Sequence, residues 1–508
     1  MKRRSFLKTT GYGTAGFLLP GLSFAQGGAG TFNPLKIPGL LTGTSRGSVK
    51  HYDLKMQTGL SNFLPGLSTP TFGINGNFLG PTIRFRDGDD VAMHVENTLG
   101  EASTLHWHGM HVPAAADGGP HQVVKDGSTW NPEFQIRQKS GTFWYHSHLV
   151  SKTGEQVYKG LAGMIIIDDE ESRNASIPSE YGVDDIPLVV QDRRFNEDGS
   201  FQYLSSHRDI MMGFFADTIL VNGTASPYFV PTTKKVRFRF LNGSNARTYN
   251  FAFSDDRRFR QLSCDGGFLE RHIEMSRLVL APGERCDIVV DFSDGNPVDL
   301  ISLPLDGNSP FLPRGMMRNM YQANTPRFNV LAIRPQSNLA NSEELPQQLT
   351  AMARLDEGGI DRVRAFTLGM AMGMGMMGGG RGPGGGGRGM MRNSGEGEFS
   401  INGRSMDMAV INETIPLGSK EIWEITNDTM MMHPFHVHHG QFQVLDRNGV
   451  SPSAHERAFK DTVKVGPGEK VRIIMEFEDF SDPNQPYMYH CHILEHEDNG
   501  MMGQFVIV

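Results

Sequence analysis

The stretch "YHCHILEHEDNGMM" (489–502) sets Cys491, one of only three cysteines, between two histidines, with a third histidine five residues on and methionines beyond. Thiolate, imidazole and thioether together are ligands for a soft transition metal. Most of the 18 histidines fall in four short clusters: "HWHGMH" (106–111) with His121 nearby, "HSH" (146–148), "HPFHVHH" (433–439) and "HCHILEH" (490–496). Along a strand, residues i and i+2 share a face. The pairs His106/His108, His146/His148, His436/His438 and His490/His492 therefore each offer two imidazoles to one site. Eight neutral imidazoles suit three copper ions with open positions for oxygen. Within "HCH" the middle residue faces the other way, so Cys491 is expected to bind a separate metal behind the strand. His433, His496 and a methionine would complete a His₂Cys site with a weak axial thioether, the blue-copper arrangement. The cysteine then joins that copper to His490 and His492 through a few covalent bonds. Ser147 holds the matching position in the first half, so only the last unit has this wire. Zinc would need far fewer ligands and gives no reason to link two sites.

Only a fold that joins the two ends of the chain can bring these clusters together. The sequence past its N-terminus reads as β-rich. Alternating runs such as "TIRFRDGDDVAMHVEN" (82–97), "KKVRFRFLNG" (234–243) and "EKVRIIMEFED" (469–479) are bounded by turn residues. An internal repeat runs through "VAMHVENTLGEASTLHWHG", "VRFRFLNGSNARTYNFAF" and "EIWEITNDTMMMHPFHVHHG". In each, a strand ends in Asn (Asn97, Asn242, Asn427), a turn follows and a second strand begins. A later unit also recurs, at 143–168 and 487–508. Three β-sandwiches of roughly 150 residues account for the length. Their expected bounds are 31–172, 173–336 and 337–508. The middle copy has Tyr249, Asn250 and Phe251 where the others have histidines, so it is expected to bind no metal and to act as a spacer. Segment 369–397, rich in Gly and Met, is expected to be an insertion in the third unit.

The 508 residues allow about two to four domains. With a net charge of −8 and no basic run beyond the N-terminus, nothing suggests a nucleic-acid partner, and none is expected. No apolar stretch after the N-terminus reaches the roughly 20 residues that span a bilayer, so no stable membrane insertion is expected. Residues 1–25 read as a targeting segment. "KRRSFLK" (2–8) resembles a twin-arginine signal, which predicts export of the folded protein to the periplasm by the twin-arginine machinery. The two remaining cysteines, Cys264 and Cys286, could form one disulfide there or stay as buried thiols.

With these motifs the sequence resembles a multicopper oxidase over essentially the whole chain past residue 25. The resemblance implies an all-β protein of three consecutive cupredoxin-like Greek-key sandwiches holding four copper ions. By motif position, the type 1 copper takes His433, Cys491, His496 and Met501, and the type 2 copper takes His106 and His436. One type 3 copper takes His108, His146 and His492, and its partner takes His148, His438 and His490. A reductant would give single electrons to type 1, and the cluster would reduce O2 to water. Asp117 in "ADGGP" stands at the spacing of the family's acidic residue beside the cluster. Glu497 follows the ligand His496. Both are expected proton relays. One departure is His439, which stands where the family has Gly after the last ligand histidine; it is read as a supporting residue, as are His111 and His121.

The substrate is read from methionines, whose thioethers favour Cu(I). Met370, Met372, Met374, Met376 and Met377 crowd the insertion, Met390 and Met391 close it, and Met430, Met431 and Met432 run into His433. The pattern resembles bacterial periplasmic cuprous oxidases, and Met370, Met431 and Asp428 are the expected substrate-copper ligands. Thr429 stands where those relatives have an Asp. The alternatives are a laccase-like oxidase of phenols or other small organic reductants, and a copper-binding protein without turnover. Nothing in the sequence requires an oligomer, so a monomer is expected.

Overall fold

The run "TIRFRDGDDVAMHVEN" folds as two strands, Thr82–Arg86 and Asp90–Thr98, broken at a turn where Gly88 takes φ 88°. The two strands belong to different sheets, so the chain crosses a sandwich at this turn. The same construction recurs throughout the computed structural model, which describes residues 32–370 and 398–508. The expected targeting segment, and Met372, Met374, Met376, Met377, Met390 and Met391, lie outside the described residues.

Six sheets stack as three sandwiches. The first closes over Tyr52, Phe85, Trp107, Phe143 and Ile165. The second closes over Phe238, Phe240, Phe251 and Ile288. The third closes over Phe366, Trp423, Phe435, Tyr489 and Phe505. Parallel and antiparallel pairings mix within sheets, as in Val49–Ser61 against Asp90–Thr98 (parallel) and Gly141–His146 against Ala162–Asp168 (antiparallel). The fold is all-β, three cupredoxin-like sandwiches in a row. Among the described residues the longest α-helix, Met316–Asn324, has 9 residues, and no helix is long and apolar enough to cross a membrane. Chain order and spatial order part at the N-terminus, where Asn33–Pro34 pairs in parallel with Pro227–Phe229 of the second sandwich.

The repeated Asn has one job in all three units. Asn97 donates to the carbonyls of Glu101 and Val124, and its own oxygen accepts from Leu99 N–H. Asn242 does the same with Arg247, Leu280 and Ser244. Asn427 does it with Met431, Val465 and Thr429. Each side chain is fully buried and ties the turn after one strand to a distant strand, filling backbone groups that would otherwise be unpaired.

Register then sets the histidines. Strand His106–His108 lies antiparallel to Gly141–His146, with His106 opposite His146. In the third sandwich His433–Val437 lies antiparallel to Asp482–Cys491, with His436 opposite His490 and Phe435 opposite Cys491. The first and third sandwiches clasp each other around these strand ends. Tyr487 Oη donates to Val112 O at 2.9 Å. The Asp498 carboxylate accepts from Thr153 and Gly154 N–H at 3.0 and 2.8 Å, at the start of helix Thr153–Lys159, where the helix dipole favours a negative charge.

Cys264 and Cys286 are both free and buried. They sit one register step apart on paired strands and face opposite sides of the sheet. Cys286 packs into the middle core and Cys264 packs against Leu269 and Ala458. Of the two alternatives raised for this pair, the structure has the two thiols.

Candidate metal centre

Cys491 ends its strand with a fully buried side chain. Its Sγ lies 3.4 Å from His433 Nδ1 and 3.7 Å from His496 Nδ1, and the two Nδ1 atoms are 3.2 Å apart. Both rings thus turn Nδ1 toward the sulfur. The far edge of His433 is fixed by Thr429, whose Oγ1 lies 2.8 Å from Nε2. The His496 ring stacks on Phe399 with centroids 4.3 Å apart. Met501 is buried in the same core and is strapped to the site by its backbone. Its carbonyl accepts from Cys491 N–H at 3.0 Å, and its N–H donates to His496 O at 2.9 Å. Burial pushes His433 down to about 3, leaving its lone pair free for a metal. The same burial pushes the Cys491 thiol up, so a metal must displace its proton.

The four H-x-H pairs converge on the other side of the strand, every ring buried. His148, His438 and His490 offer nitrogens within 4.8 Å of one another, as do His106, His108 and His146, and His106, His436 and His438. In most rings Nδ1 points away from the centre. His106 Nδ1 donates to Asp117 O, His146 Nδ1 to Ser147 O, His436 Nδ1 to Asp461 O and His490 Nδ1 to Cys491 O, at 2.7–3.1 Å. This leaves Nε2 facing inward. The Nε2 atoms of His106 and His436 and both nitrogens of His492 are buried without any hydrogen-bond partner. Buried polar atoms left so cost roughly 1–3 kcal/mol each. Neutral imidazoles with orphaned inward lone pairs fit metal cations, and an all-nitrogen set beside a His₂Cys site fits copper.

Two acids stand against this cluster. Asp117 Oδ2 lies 2.8 Å from His438 Nδ1 and 3.4 Å from His106 Nδ1. Burial pushes its carboxyl up, but the His106 and His438 rings outweigh that and hold it well below the usual range. Glu497 sits between His490 Nδ1 at 3.1 Å and His148 Nδ1 at 3.3 Å, and those rings hold it low against the same effect of burial. Both are the acids singled out from sequence. Two further acids were not. Asp461 contacts His108 and His436. Glu495 is buried one residue before His496, accepts from Tyr203, Asn245 and Phe214 N–H, and is raised to about 7 by burial. The only sequence signal for either is a charge set beside a buried strand or ligand.

His439 takes φ 81°. This is the left-handed region that favours glycine, and it accounts for the family's Gly at that place. The ring is buried against Phe477 and Tyr487. Its carbonyl accepts from His111 Nδ1 at 2.7 Å, and His111 Nε2 meets Asp479 at 2.8 Å. His121 bonds Gln504 on the third sandwich. None of the three joins the cluster.

Of the expected substrate ligands, Met370 ends strand Arg362–Met370 opposite Phe399, the residue stacked on His496. Met431 is buried in the core around Cys491. Asp428 is exposed, and its backbone N–H bonds Leu368 O at 3.1 Å. Thr429, not Asp428, reaches His433. The structure adds methionines that no spacing along the chain connects. Met211, on helix His207–Met212, and Met320, on helix Met316–Asn324, come from the middle sandwich and pack half-buried on this core, as do Met370 and Met430. The middle unit thus reaches the core that contains Cys491.

Sequence models described as multicopper oxidase match residues 55–172, 174–299 and 387–508. The chain is 35% identical over 464 residues to the multicopper oxidase mco of Staphylococcus haemolyticus, covering 90% of this chain and 88% of that protein. It is 33% identical over 510 residues to the cell division protein FtsP of a Rahnella species, covering 100% of this chain and 99% of that one. Among solved structures it is similar to the laccase-like multi-copper oxidase CueO from the lignin-degrading bacterium Ochrobactrum sp., with a TM-score of 0.80 and 33% identity over 94% of this chain and 100% of that one.

Proposed function

Because this chain belongs to the multicopper oxidase family, we propose that it couples the one-electron oxidation of Cu(I) to the four-electron reduction of O2 to water. Four copper ions would fill the centre: one on His433, Cys491, His496 and Met501, one on His106 and His436, one on His108, His146 and His492, and one on His148, His438 and His490. Bound copper supplies the redox couple and the affinity for oxygen. The chain does the rest. Cys491 is covalently continuous with His490 and His492, so electrons cross from one site to the other through a few bonds. Asp117 and Glu497, charged carboxylates set against ligand rings, would accept and pass on the protons that water formation consumes. Sandwich walls bury all eight imidazoles and keep bulk water out.

The observation that carries Cu(I) as substrate is a set of half-buried thioethers on the core that contains Cys491. Met211, Met320, Met370 and Met430 come from four separate segments and pack half-buried on the core of the cysteine site. Soft ligands gathered there select a soft monovalent ion. The export signal read in residues 2–8 puts this work in the periplasm, where the chain acts as a monomer. A laccase-like oxidation of small organic reductants is the second reading, favoured by the similarity to the Ochrobactrum enzyme. The FtsP relatives raise a role without turnover; a full set of candidate ligands, buried and converging, speaks against it.

The test is oxygen uptake by the copper-loaded protein with stabilised Cu(I) and, separately, with a simple phenol, repeated on Met211→Leu/Met370→Leu/Met430→Leu. The proposal expects fast uptake with Cu(I) that the triple variant slows about tenfold or more, with the phenol rate kept or raised. A phenol rate above the Cu(I) rate, with no effect of the substitutions, would make the enzyme laccase-like. Bound copper without uptake on either reductant would support the role without turnover.

A further inference from the structure

Seven of the eight clustered imidazoles share one feature: none donates from Nε2 to an anionic group. His108 is the exception. Its Nε2 lies 3.1 Å from Asp461 Oδ1 and 3.2 Å from Thr462 Oγ1, while its Nδ1 faces the cluster, 3.4 Å from His146 Nε2. A carboxylate only accepts, so the proton sits on Nε2 and the lone pair on Nδ1. The ring is reversed relative to its neighbours.

Asp461 is itself held from the middle sandwich. Arg285 Nη1 and Nη2 grip its two oxygens at 2.7 and 2.6 Å. The remaining N–H groups of Arg285 donate to Thr142 O at 2.9 Å, Gly283 O at 3.0 Å and Asp265 O at 3.1 Å. All five guanidinium donors are used, on partners from all three sandwiches, and both side chains are fully buried. Such a two-pronged grip fixes the plane of the carboxylate as well as its charge. The same aspartate reaches His436 through its backbone carbonyl, which accepts from Nδ1 at 2.7 Å.

Two residues before Arg285, Gly283 takes φ 82°, and a Cβ there would stand 2.9 Å from His492 Cδ2. The backbone of this turn lies flat on the His492 ring. His492 has no hydrogen bond at either nitrogen, so contact alone sets its orientation. His108 and His492 are assigned above to one and the same type 3 copper.

We propose that the turn 283–285 of the middle sandwich, which carries no metal ligand of its own, is a positioning element of the oxygen-reducing centre. Arg285 fixes Asp461, Asp461 fixes His108 in the reversed tautomer, and Gly283 gives His492 its place. This rests on the reading that the eight histidines hold copper.

The experiment compares copper content, the blue type 1 band, the type 3 absorption, melting temperature and oxygen uptake in the wild-type protein, Asp461→Asn and Gly283→Ala. An asparagine gives Arg285 one acceptor and one donor where it needs two acceptors, so either the grip or the His108 contact is lost. Both variants are expected to keep the blue band while the type 3 absorption falls by about half or more and uptake by about tenfold or more. A folded, fully copper-loaded Asp461→Asn with unchanged type 3 absorption and uptake overturns the proposal, even if its melting temperature drops, because that would mark a structural role only. If Asp461→Asn does not accumulate, Gly283→Ala decides by the same criteria. A wild-type protein that binds no copper at the eight histidines would instead sink the underlying reading, and the wild-type sample reports that separately.

Discussion

Gly109 and His439 are the same backbone position in two sandwiches. Each follows the second histidine of an H-x-H pair, and their φ angles are 84° and 81°. What differs is the space beside them. A Cβ on Gly109 would collide with Asp461 Oδ2 and stand 2.8 Å from Arg285 Nη2, whereas His439 fills a pocket between Phe477 and Tyr487. A left-handed non-glycine residue costs roughly 1–2 kcal/mol, which the buried His439 ring offsets. Gly109→Ala is therefore expected to lose type 3 copper. His439→Gly is expected to load fully, with stability changed by no more than about 2 kcal/mol. Metal analysis and melting curves of the two variants check this, and a fully loaded Gly109→Ala would contradict it.

Cys491→Ser keeps the side-chain volume and removes the thiolate. The blue band should vanish and one copper per chain should be lost. Electron delivery should stop, so uptake with any reductant should fall to background, while the type 3 absorption survives. Full oxidase activity in this variant would mean that electrons do not pass through residue 491.

Asp117→Asn and Glu497→Gln keep the contacts with the histidine rings but cannot carry a proton. Loss of a proton relay typically costs about 10²–10⁴-fold in rate. Stopped-flow reduction of the blue band by the reductant should be unchanged, and reoxidation by O2 should slow. Slowing of reduction alone would assign these acids to electron entry.

Glu456, which contacts none of the candidate ligands in its hydrogen bonds, is gripped by Arg447 at 2.7 and 3.2 Å. Burial pushes its carboxyl up, but Arg447 and Lys464 outweigh that and bring it from 4.5 to about 2. Its folded pKa is depressed. Its contribution, at most about 3 kcal/mol, is therefore whole above about pH 4.5 and is lost as pH falls toward about 2. Denaturant unfolding of wild type and Glu456→Gln should differ most at neutral pH and converge through that window. A difference that stays constant with pH would show that the carboxylate charge is not what stabilises.

The histidine pairs and Cys491 were legible because a strand repeats every two residues, so spacing alone fixes which side chains share a face. The repeated Asn was legible for the same reason, as one residue at one place in each unit. Arg285, Asp461 and Gly283 were not. Their partners come from other sandwiches, and "GERCD" and "KDTV" carry no period that points across an interface. The middle unit read as a spacer because its strands lack histidines, yet its role lies in a turn. Met211 and Met320 were hidden likewise: each sits on a short helix whose destination depends on tertiary packing.

Neither imidazole of the cysteine site is open to an incoming donor molecule among the described residues. His433 ends on Thr429, His496 lies under Phe399, and both are fully buried. In the proposed reaction electrons would therefore arrive by tunnelling through at least one intervening side chain, and the rate would fall with distance and rise with driving force rather than follow the shape of a docked donor. A copper held in a site so enclosed would have little room to shift its ligands between two oxidation states. Its candidate ligands are tied down by backbone bonds at Cys491, Met501 and Ile493, so the reorganisation energy would be small and transfer would stay fast even when the reductant stops a shell away.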